Sequence, residues 1–470
     1  MLQLHRSERA DRLVEALGDL LATPLPDPIT PDVIAVPTRG VERWLTQRLS
    51  HRLGAPPDGE AGVCANIRFP FPGVLVGQAI AAANELDPGD DPWRPERSVW
   101  TLIDLIDRHA EDPELAPLTA HLRAVTPDEQ RNQPGQLRRF ATARHIADLY
   151  DHYSVHRPDL VRSWAAGADI RTADDPTAAW QAYLWRLLRS RLGVPSPAER
   201  FAEAARRLAE APELLDLPPR LSLFGLTRLP SSQLQVLQAI ARARQVHLFL
   251  LHPSGRLWDE VAMTAPDPPP DLQRVADPTA RLAANPLLRS WGRDSREMQL
   301  VLAGRGVSGG EHRPVDPPAP PASLLSRLQA DIRADRQPPG APGSDGEDQR
   351  PVLDPTDRTL QVHSCHGRAR QVEVVRDAVL HLLAADETLE PRDVIVMCPD
   401  IETFAPLIHG SFGPADPMAS SEPDGGGESP TGMPRLRVRL ADRSVRQTNP
   451  LLNVAAQLLE LAGGRVTASE

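Results

Sequence analysis

The sequence predicts an α/β protein: a parallel sheet carrying a large helical insertion, followed by the start of a second, incomplete α/β unit. Three observations lead there. Short apolar runs such as Val33-Ile34-Ala35-Val36 and Val246–Leu251 alternate with amphipathic helices, the pattern of a parallel sheet. From about residue 98 to 210 that alternation gives way to helical periodicity, as in Trp100, Leu102, Leu105 and Ile106. The strand pattern then returns at Leu221-Ser222-Leu223-Phe224-Gly225.

Taken in order, Leu2–Leu4 reads as a short strand, His5-Arg6-Ser7-Glu8-Arg9 as a polar turn, and Ala10–Leu21 as an amphipathic helix. Val33–Val36 is a second strand, closed by Pro37-Thr38-Arg39-Gly40. A helix follows with Val41, Trp44, Leu45 and Leu49 on one face. After the helical insertion and the strand at Leu221, a helix begins near Ser232 and leads to the strand Val246–Leu251. Residues 264–282 and 305–356 are rich in Pro, Gly and Asp, and the second reads as an interdomain linker. Beyond it, Leu360–Cys365, Val394–Met397 and Arg435–Leu440 read as strands, and Ala369–Leu383, Thr403–His409 and Leu451–Leu461 as helices. Thr467 and Glu470 have capping-box spacing, as if another helix were starting, so the chain reads as truncated. The expected domains are 1–90 and 213–304 (one α/β domain in two parts), 91–212 (the insertion), 305–356 (the linker) and 357–470 (the second α/β domain).

Composition bounds the chemistry. The chain has no lysine, so all 52 of its Lys and Arg residues are arginine. A phosphate-binding P-loop uses glycines for close backbone approach and a lysine for the β/γ oxygens, and Schiff-base chemistry also needs lysine. Codon bias in a GC-rich genome accounts for the global depletion, but it does not ordinarily erase a catalytic residue. Three scattered cysteines (Cys64, Cys365, Cys398) argue against a disulfide framework and for a reducing cytoplasm. There is no signal-like N-terminus and no run of about 18 apolar residues, so no membrane association is expected. A net charge of −11 is the wrong sign for a general nucleic-acid coat; contacts to DNA must come from local arginine clusters.

Two constellations stand out. On the stretch Gln136–Asp159, Phe140, Ala143, Ala147, Tyr150 and Ser154 recur about once per helical turn, with Arg144, Asp148, Asp151 and His152 on the other faces. The plainer alternative is an ordinary amphipathic helix with an Arg144–Asp148 i,i+4 ion pair. Arg435, Arg437 and Arg439 alternate on one expected strand face, with Arg443 and Arg446 following: five arginines in twelve residues, a candidate phosphate-contacting patch. Pairing with the acidic loop Glu422–Glu428 is its alternative. His145, Asp148, His152 and His156 have spacings that suggest a metal, but no distant Cys/His cluster completes the shell. His363, Cys365 and His366 look similar, but their crowding on a strand end suits packing against the next helix better, so no metal is expected at either.

The domain order resembles a superfamily 1 helicase core, and the local motifs resemble the RecC family, the gamma subunits of exodeoxyribonuclease V (the RecBCD complex). The motifs include Ala65-Asn66-Ile67 before Phe69-Pro70-Phe71-Pro72, and Ala147-Asp148-Leu149-Tyr150-Asp151 before Arg157-Pro158-Asp159. Further on are Trp180-Gln181-Ala182, Asn285-Pro286-Leu287-Leu288 with Ser290-Trp291-Gly292, and Cys365-His366 with Arg370. Asp442-Arg443 with Arg446-Gln447 ends the series.

The resemblance implies an inactivated superfamily 1 helicase-like core. The degenerate P-loop falls at His5, Arg6, Ser7, Glu8 and Arg9, and His252-Pro253-Ser254 follows the strand where a helicase needs an acidic pair. Asp259-Glu260 comes too late to end that strand. The resemblance also implies a tunnel for the 3′-ended strand, faced by Asp148, Leu149, Asp151 and Arg157 with Phe71 as an apolar wall, and a part in reading the chi signal. Gly77 stands where the family often has a large aromatic, which bears against conserved chi reading. The function implied is a non-catalytic scaffold and DNA-strand guide in a helicase–nuclease for double-strand-break repair. It would have RecB-like and RecD-like partners, single- and double-stranded DNA as ligand, and ATP and Mg²⁺ used only by the partners. The alternatives are a stand-alone DNA-binding adaptor and an unrelated metal-dependent hydrolase using the His/Asp helix.

Overall fold

The computed structural model describes residues 2–54, 62–87, 89–123, 135–168, 179–264, 277–307, 309–315, 323–341, 348–413, 436, 438–440 and 449–463. The chain divides into two compact units, Met1–Asp354 and Pro355–Glu470.

Six parallel strands organise the first unit: β1 (Leu2–Ser7), β2 (Asp32–Ala35), β3 (Ile67–Arg68), β4 (Arg220–Phe224), β5 (Gln245–Leu251) and β6 (Glu311–His312), in the order β3-β2-β4-β5-β1-β6. Every sheet residue must serve one face or the other, and the apolar residues divide accordingly. Val33, Ala35, Leu221, Leu223, Val246, Leu248, Leu250 and Leu4 enter one core. Ile34, Val36, Phe224 and Phe249 enter the opposite one. Helices α1 (Ala10–Leu21) and α2 (Arg39–Ser50) cover the second face through Leu13, Leu17, Leu45 and Leu49. Thr38 caps α2 by accepting from the backbone of Val41. At the start of the sheet, Arg220 is 5% exposed. It makes two 2.9 Å bonds to the Asp32 carboxylate and donates to the carbonyls of Leu20 and Thr23. One buried guanidinium thereby ties β4, β2 and the end of α1 together.

The other face is covered by α3 (Pro72–Ala83), a helix α9 (Pro197–Glu210) and α10 (Ser231–Ile240). Between α3 and α9 lie α4 (Pro95–Arg108), α5 (Ala116–Arg123), α6 (Gly135–His156), α7 (Pro158–Ala165) and α8 (Ala179–Leu192). They build a separate core around Trp93, Leu102, Tyr150, Trp164 and Trp185. Helix α9 serves both cores: Ala198 faces the helical bundle, while Phe201, Ala204 and Leu208 face the sheet. Its start is fixed by a Ser196/Glu199 capping box with Pro197 at the first turn. The helical insertion is thus held against the sheet by a helix that belongs to both.

After β5 come α11 (Gly255–Thr264), α12 (Pro286–Ser290), α13 (Arg293–Ala303) and α14 (Leu324–Arg333). The stretch Asn285–Gly292 is a packing device. Asn285 caps α12 through Leu287 N–H, and its own backbone N–H donates to the buried Asp335 carboxylate. Arg296, 2% exposed, reaches Thr279, Asp277 and the carbonyls of Leu288 and Arg289. A Cβ on Gly292 would lie 2.5 Å from the Leu288 carbonyl oxygen.

Two readings of this unit need correction. β1 does not stop at Leu4. It runs through His5 and Arg6 to Ser7, because parallel pairing to β5 satisfies the backbone as far as Ser7↔Leu251 and because His5 stacks on Phe249 with ring centroids 4.5 Å apart. Polar residues in a strand do not end it when both neighbours are present. The segment read as a linker from 305 carries β6 and α14, with Ile332 packed on the cluster of Leu257, Val261 and Leu288.

In the second unit, α15 (Arg368–Ala385), α16 (Ile401–Phe412) and α17 (Pro450–Gly463) match the expected helices. No strand forms among its described residues. Val362, Ile395 and Met397, in segments read as strands, are 93%, 83% and 87% exposed. A parallel strand exists only with a neighbour to bond, and among the described residues neither segment pairs with one. Among the described residues no helix is long and apolar enough to cross a membrane.

Candidate nucleic-acid interface

Helix α6 buries Ala143, Ile146, Ala147 and Tyr150 in the bundle core. The Tyr150 hydroxyl donates to the Gln181 carbonyl at 2.8 Å, and Tyr153 to the Gln181 side chain at 3.0 Å. Complete burial holds the Tyr150 phenol well above its ordinary pKa. Phe140, expected on the buried face, is 40% exposed and lies against Trp100. On the other side Arg144 bridges Glu96 of α4 and Asp148, at 3.2 Å each. The i,i+4 pair foreseen as the plainer alternative is therefore formed.

Asp151 differs from Asp148. It is exposed, yet desolvation raises its pKa above the ordinary carboxylate value. Asp148, Glu96 and Asp91 add to the rise, while His152 opposes it. Leu149 is half-buried. The helix ends at His156, whose pKa is lowered by burial, by His152 and by Arg228. Arg157 is exposed and stands at the N-cap of α7, its backbone N–H bonded to the Tyr153 carbonyl. Ser232 of α10 donates to Val155 at 2.7 Å, so the end of α6 is pinned to the sheet domain.

Phe71 caps the N-terminus of α3, 39% exposed, with the Arg39 guanidinium 5.4 Å above its ring. It stands on a different element from the α6 residues; α9 and α10 touch both helices. Of the arginine patch, Arg435, Arg437, Arg443 and Arg446 lie outside the described residues. Arg439 is exposed and belongs to no strand. His363 and His366 are exposed rather than packed against the following helix.

The C-terminal ends of β1, β5 and β6 form a second candidate. In an open parallel sheet, ligands bind outside these ends where the winding reverses direction. Here α1 carries the chain from β1 toward β2, while the return from β5 passes β1 to reach β6. Only Glu8 and Arg9 separate β1 from α1. Ser7 donates to the Arg313 carbonyl, and Arg6 pairs with Asp259 at 2.9 Å. Asp259 is therefore on a helix rather than a strand end, but α11 folds it back to β1. His252, next after β5, is fully buried, and burial first, with Arg6 and His312 adding, holds its pKa well below the usual histidine value. Glu8 and His312 meet at 3.0 Å beside it. An open cleft of about 520 Å³ adjoins, lined by Glu8, Arg9, Leu251, Pro253 and, from α14, Gln329, Ile332 and Arg333.

The sequence profile described as RecC, N-terminal domain, matches residues 2–335. The chain belongs to the RecC family. It is 44% identical to the RecBCD enzyme subunit RecC of Mycolicibacterium smegmatis, covering 100% of this chain and 40% of that relative. The RecC subunit of Escherichia coli K12 is 29% identical, with 100% and 42% covered. That of Haemophilus influenzae is 26% identical, with 100% and 43% covered. The chain thus spans about two fifths of the length of the curated relatives it matches. Family membership removes the reading as an unrelated hydrolase. The profile ends at Asp335, the buried carboxylate that receives the backbone N–H groups of Ala284 and Asn285.

Sequence reasoning missed His312, which reaches Glu8 across 304 residues, and the 83% exposure of Trp291 between the buried Leu288 and Gly292. A two-residue strand carries no periodic signal that could have revealed the first.

Proposed function

We propose that this RecC-family chain is a non-catalytic, helicase-like scaffold and DNA-strand guide within an ATP-dependent helicase–exodeoxyribonuclease that repairs double-strand breaks. The observation that carries this reading is the two-residue, glycine-free connection between β1 and α1 in a family member without lysine. A phosphate cradle needs a run of backbone N–H groups with glycine freedom; Glu8 and Arg9 offer neither. Beyond β5 the position of a magnesium-holding carboxylate is taken by His252. ATP hydrolysis and DNA cleavage then belong to RecB-like and RecD-like partners, which use ATP and Mg²⁺.

Within this reading, Asp151, Asp148, Leu149 and Arg157 form the strand-facing surface, with Phe71 as its apolar wall. A partly desolvated carboxylate such as Asp151 accepts from exocyclic amines of unstacked bases, while Arg157 serves phosphate or guanine. Arg144 holds Asp148 in place. Arg435, Arg437, Arg439, Arg443 and Arg446 supply the phosphate contacts.

Co-purification from the native host tests assembly: RecB-like and RecD-like subunits should accompany the chain, and their absence would favour the stand-alone adaptor. In the assembled complex, Asp151→Ala should alter signal-dependent cutting with unwinding nearly unchanged, because base contacts specify while phosphate contacts position. Equal loss of both activities in a folded variant would remove Asp151 from the strand-facing surface.

A further inference from the structure

We propose that Glu8, His252 and His312 form a binding site for one Zn²⁺ ion, with two imidazole nitrogens and a carboxylate oxygen as ligands. The three side chains follow or end three different strands, β1, β5 and β6, and their candidate donor atoms all lie within 4.8 Å of one another. Among the described residues this is the one such group of histidine, cysteine or acidic side chains.

Burial makes the arrangement costly without a guest. His252 is 0% exposed, and neither of its ring nitrogens has a hydrogen-bond partner of good geometry; the backbone of Ser254 comes near without completing one. The second carboxylate oxygen of Glu8 is also buried without a partner. Unsatisfied buried polar atoms are expensive, and an ion shared by Glu8, His252 and His312 would occupy one of the two His252 ring nitrogens.

The chemistry of the donors selects the guest. Two imidazoles and one carboxylate carry a net charge of −1, which attracts a cation despite Arg6, whose guanidinium is engaged by Asp259. Nitrogen-rich donors suit zinc rather than magnesium or calcium, and His₂Glu with one open position is an established zinc arrangement. Glu8 and His312, 3.0 Å apart, already sit near the roughly 3.3 Å separation of two ligands on a tetrahedral zinc. A Cβ on Gly255 would stand 3.1 Å from Glu8 Oε1, 3.3 Å from His312 Cε1 and 3.6 Å from His252 Cε1. The missing side chain at 255 therefore leaves the centre of the cluster open. Zinc would replace the contact between His312 and Glu8, the imidazole N–H residing on the ring nitrogen that does not ligate, and would clamp three strand ends together. The inference does not depend on the proposed function.

The test is titration of the chelator-treated full chain with ZnCl₂ against a chromophoric competitor, with a thermal melt at each point. The expected result is one tight equivalent and a rise in Tm. His312→Ala and Glu8→Gln should each weaken binding by at least ~10-fold, while His145→Ala on the exposed side of α6 changes nothing. MgCl₂ should not compete. Tight zinc binding unchanged in folded His312→Ala and Glu8→Gln overturns the proposal, as does the absence of a tight equivalent in the wild type; a buried water would then satisfy the cluster. Should either variant fail to fold, X-ray absorption on the zinc-loaded wild type decides. A shell with two imidazoles and no sulfur supports the site; a sulfur ligand or no imidazole sinks it.

Discussion

Val246–Leu251 in the first unit and Val394–Met397 in the second are both β-branched or otherwise apolar in the main, yet only the first is a strand. Val246, Leu248 and Phe249 are fully buried between two layers of helices, and β5 is hydrogen-bonded on both sides. Ile395 and Met397 are more than four-fifths exposed. The difference lies in partners rather than in composition: an apolar run becomes a parallel strand only when neighbouring strands and covering helices exist for it. The first unit supplies both, while the second offers three helices with Val372 and Ala405 as its buried apolar residues among those described.

This contrast is sharpest in the cost of deleting apolar side chains. Trp185→Ala, at a fully buried indole stacked on Trp93, should destabilise the first unit by about 3–5 kcal/mol. Ile395→Ala should change stability by less than ~0.5 kcal/mol. Urea unfolding of the two variants measures both, and equal effects would break the comparison.

Ion pairs should divide the same way. Arg220→Ala leaves Asp32 with its charge largely buried and unpaired, a loss of roughly 3–5 kcal/mol. Arg370→Ala in the second unit removes an exposed i,i+3 pair with Glu373 and should leave the unfolding midpoint unchanged.

A smaller effect is pH dependence. His247 is buried on the sheet, and desolvation first, then His5 and Arg220, bring its pKa down to about 4. His5 shifts in the same direction, mainly through desolvation. Since the folded value lies below the unfolded one, the unfolded chain binds more protons between pH 6.5 and 4. Stability is then full above pH 6.5 and falls as pH drops toward 4, by on the order of 2 kcal/mol for His247. Denaturation at pH 7 and pH 5 should show the loss, and His247→Gln should shrink it.

The sheet was legible in the sequence wherever a strand was long enough to show an apolar run, as at Val33, Leu221 and Val246. It was illegible at Ile67–Arg68 and Glu311–His312, two-residue strands defined only by their neighbours. The polar half of β1 was read as a turn because His5, Arg6 and Ser7 resemble turn residues until Phe249 and Leu251 stand beside them. For the candidate sites the division is similar. Arg144 and Asp148 could be paired from i,i+4 spacing, but the reach of Glu96 across from α4 could not. The strand-facing role proposed for Phe71 and Asp151 rests on motif resemblance. Glu8, His252 and His312 come together only through the strand order, which no local pattern encodes.

The crevice at the end of β1 is where a scaffold and a motor would differ. The deciding measurement is equilibrium binding of Mg²⁺·ATP to the purified chain, paired with DNA-stimulated hydrolysis in the same preparation. We predict no saturable binding up to ~1 mM, the upper range of ordinary enzyme affinities, and no hydrolysis above buffer. Saturable ATP binding that is lost on replacing Arg9 or Arg333, which line the cleft, would contradict the account and return this domain to the working motors.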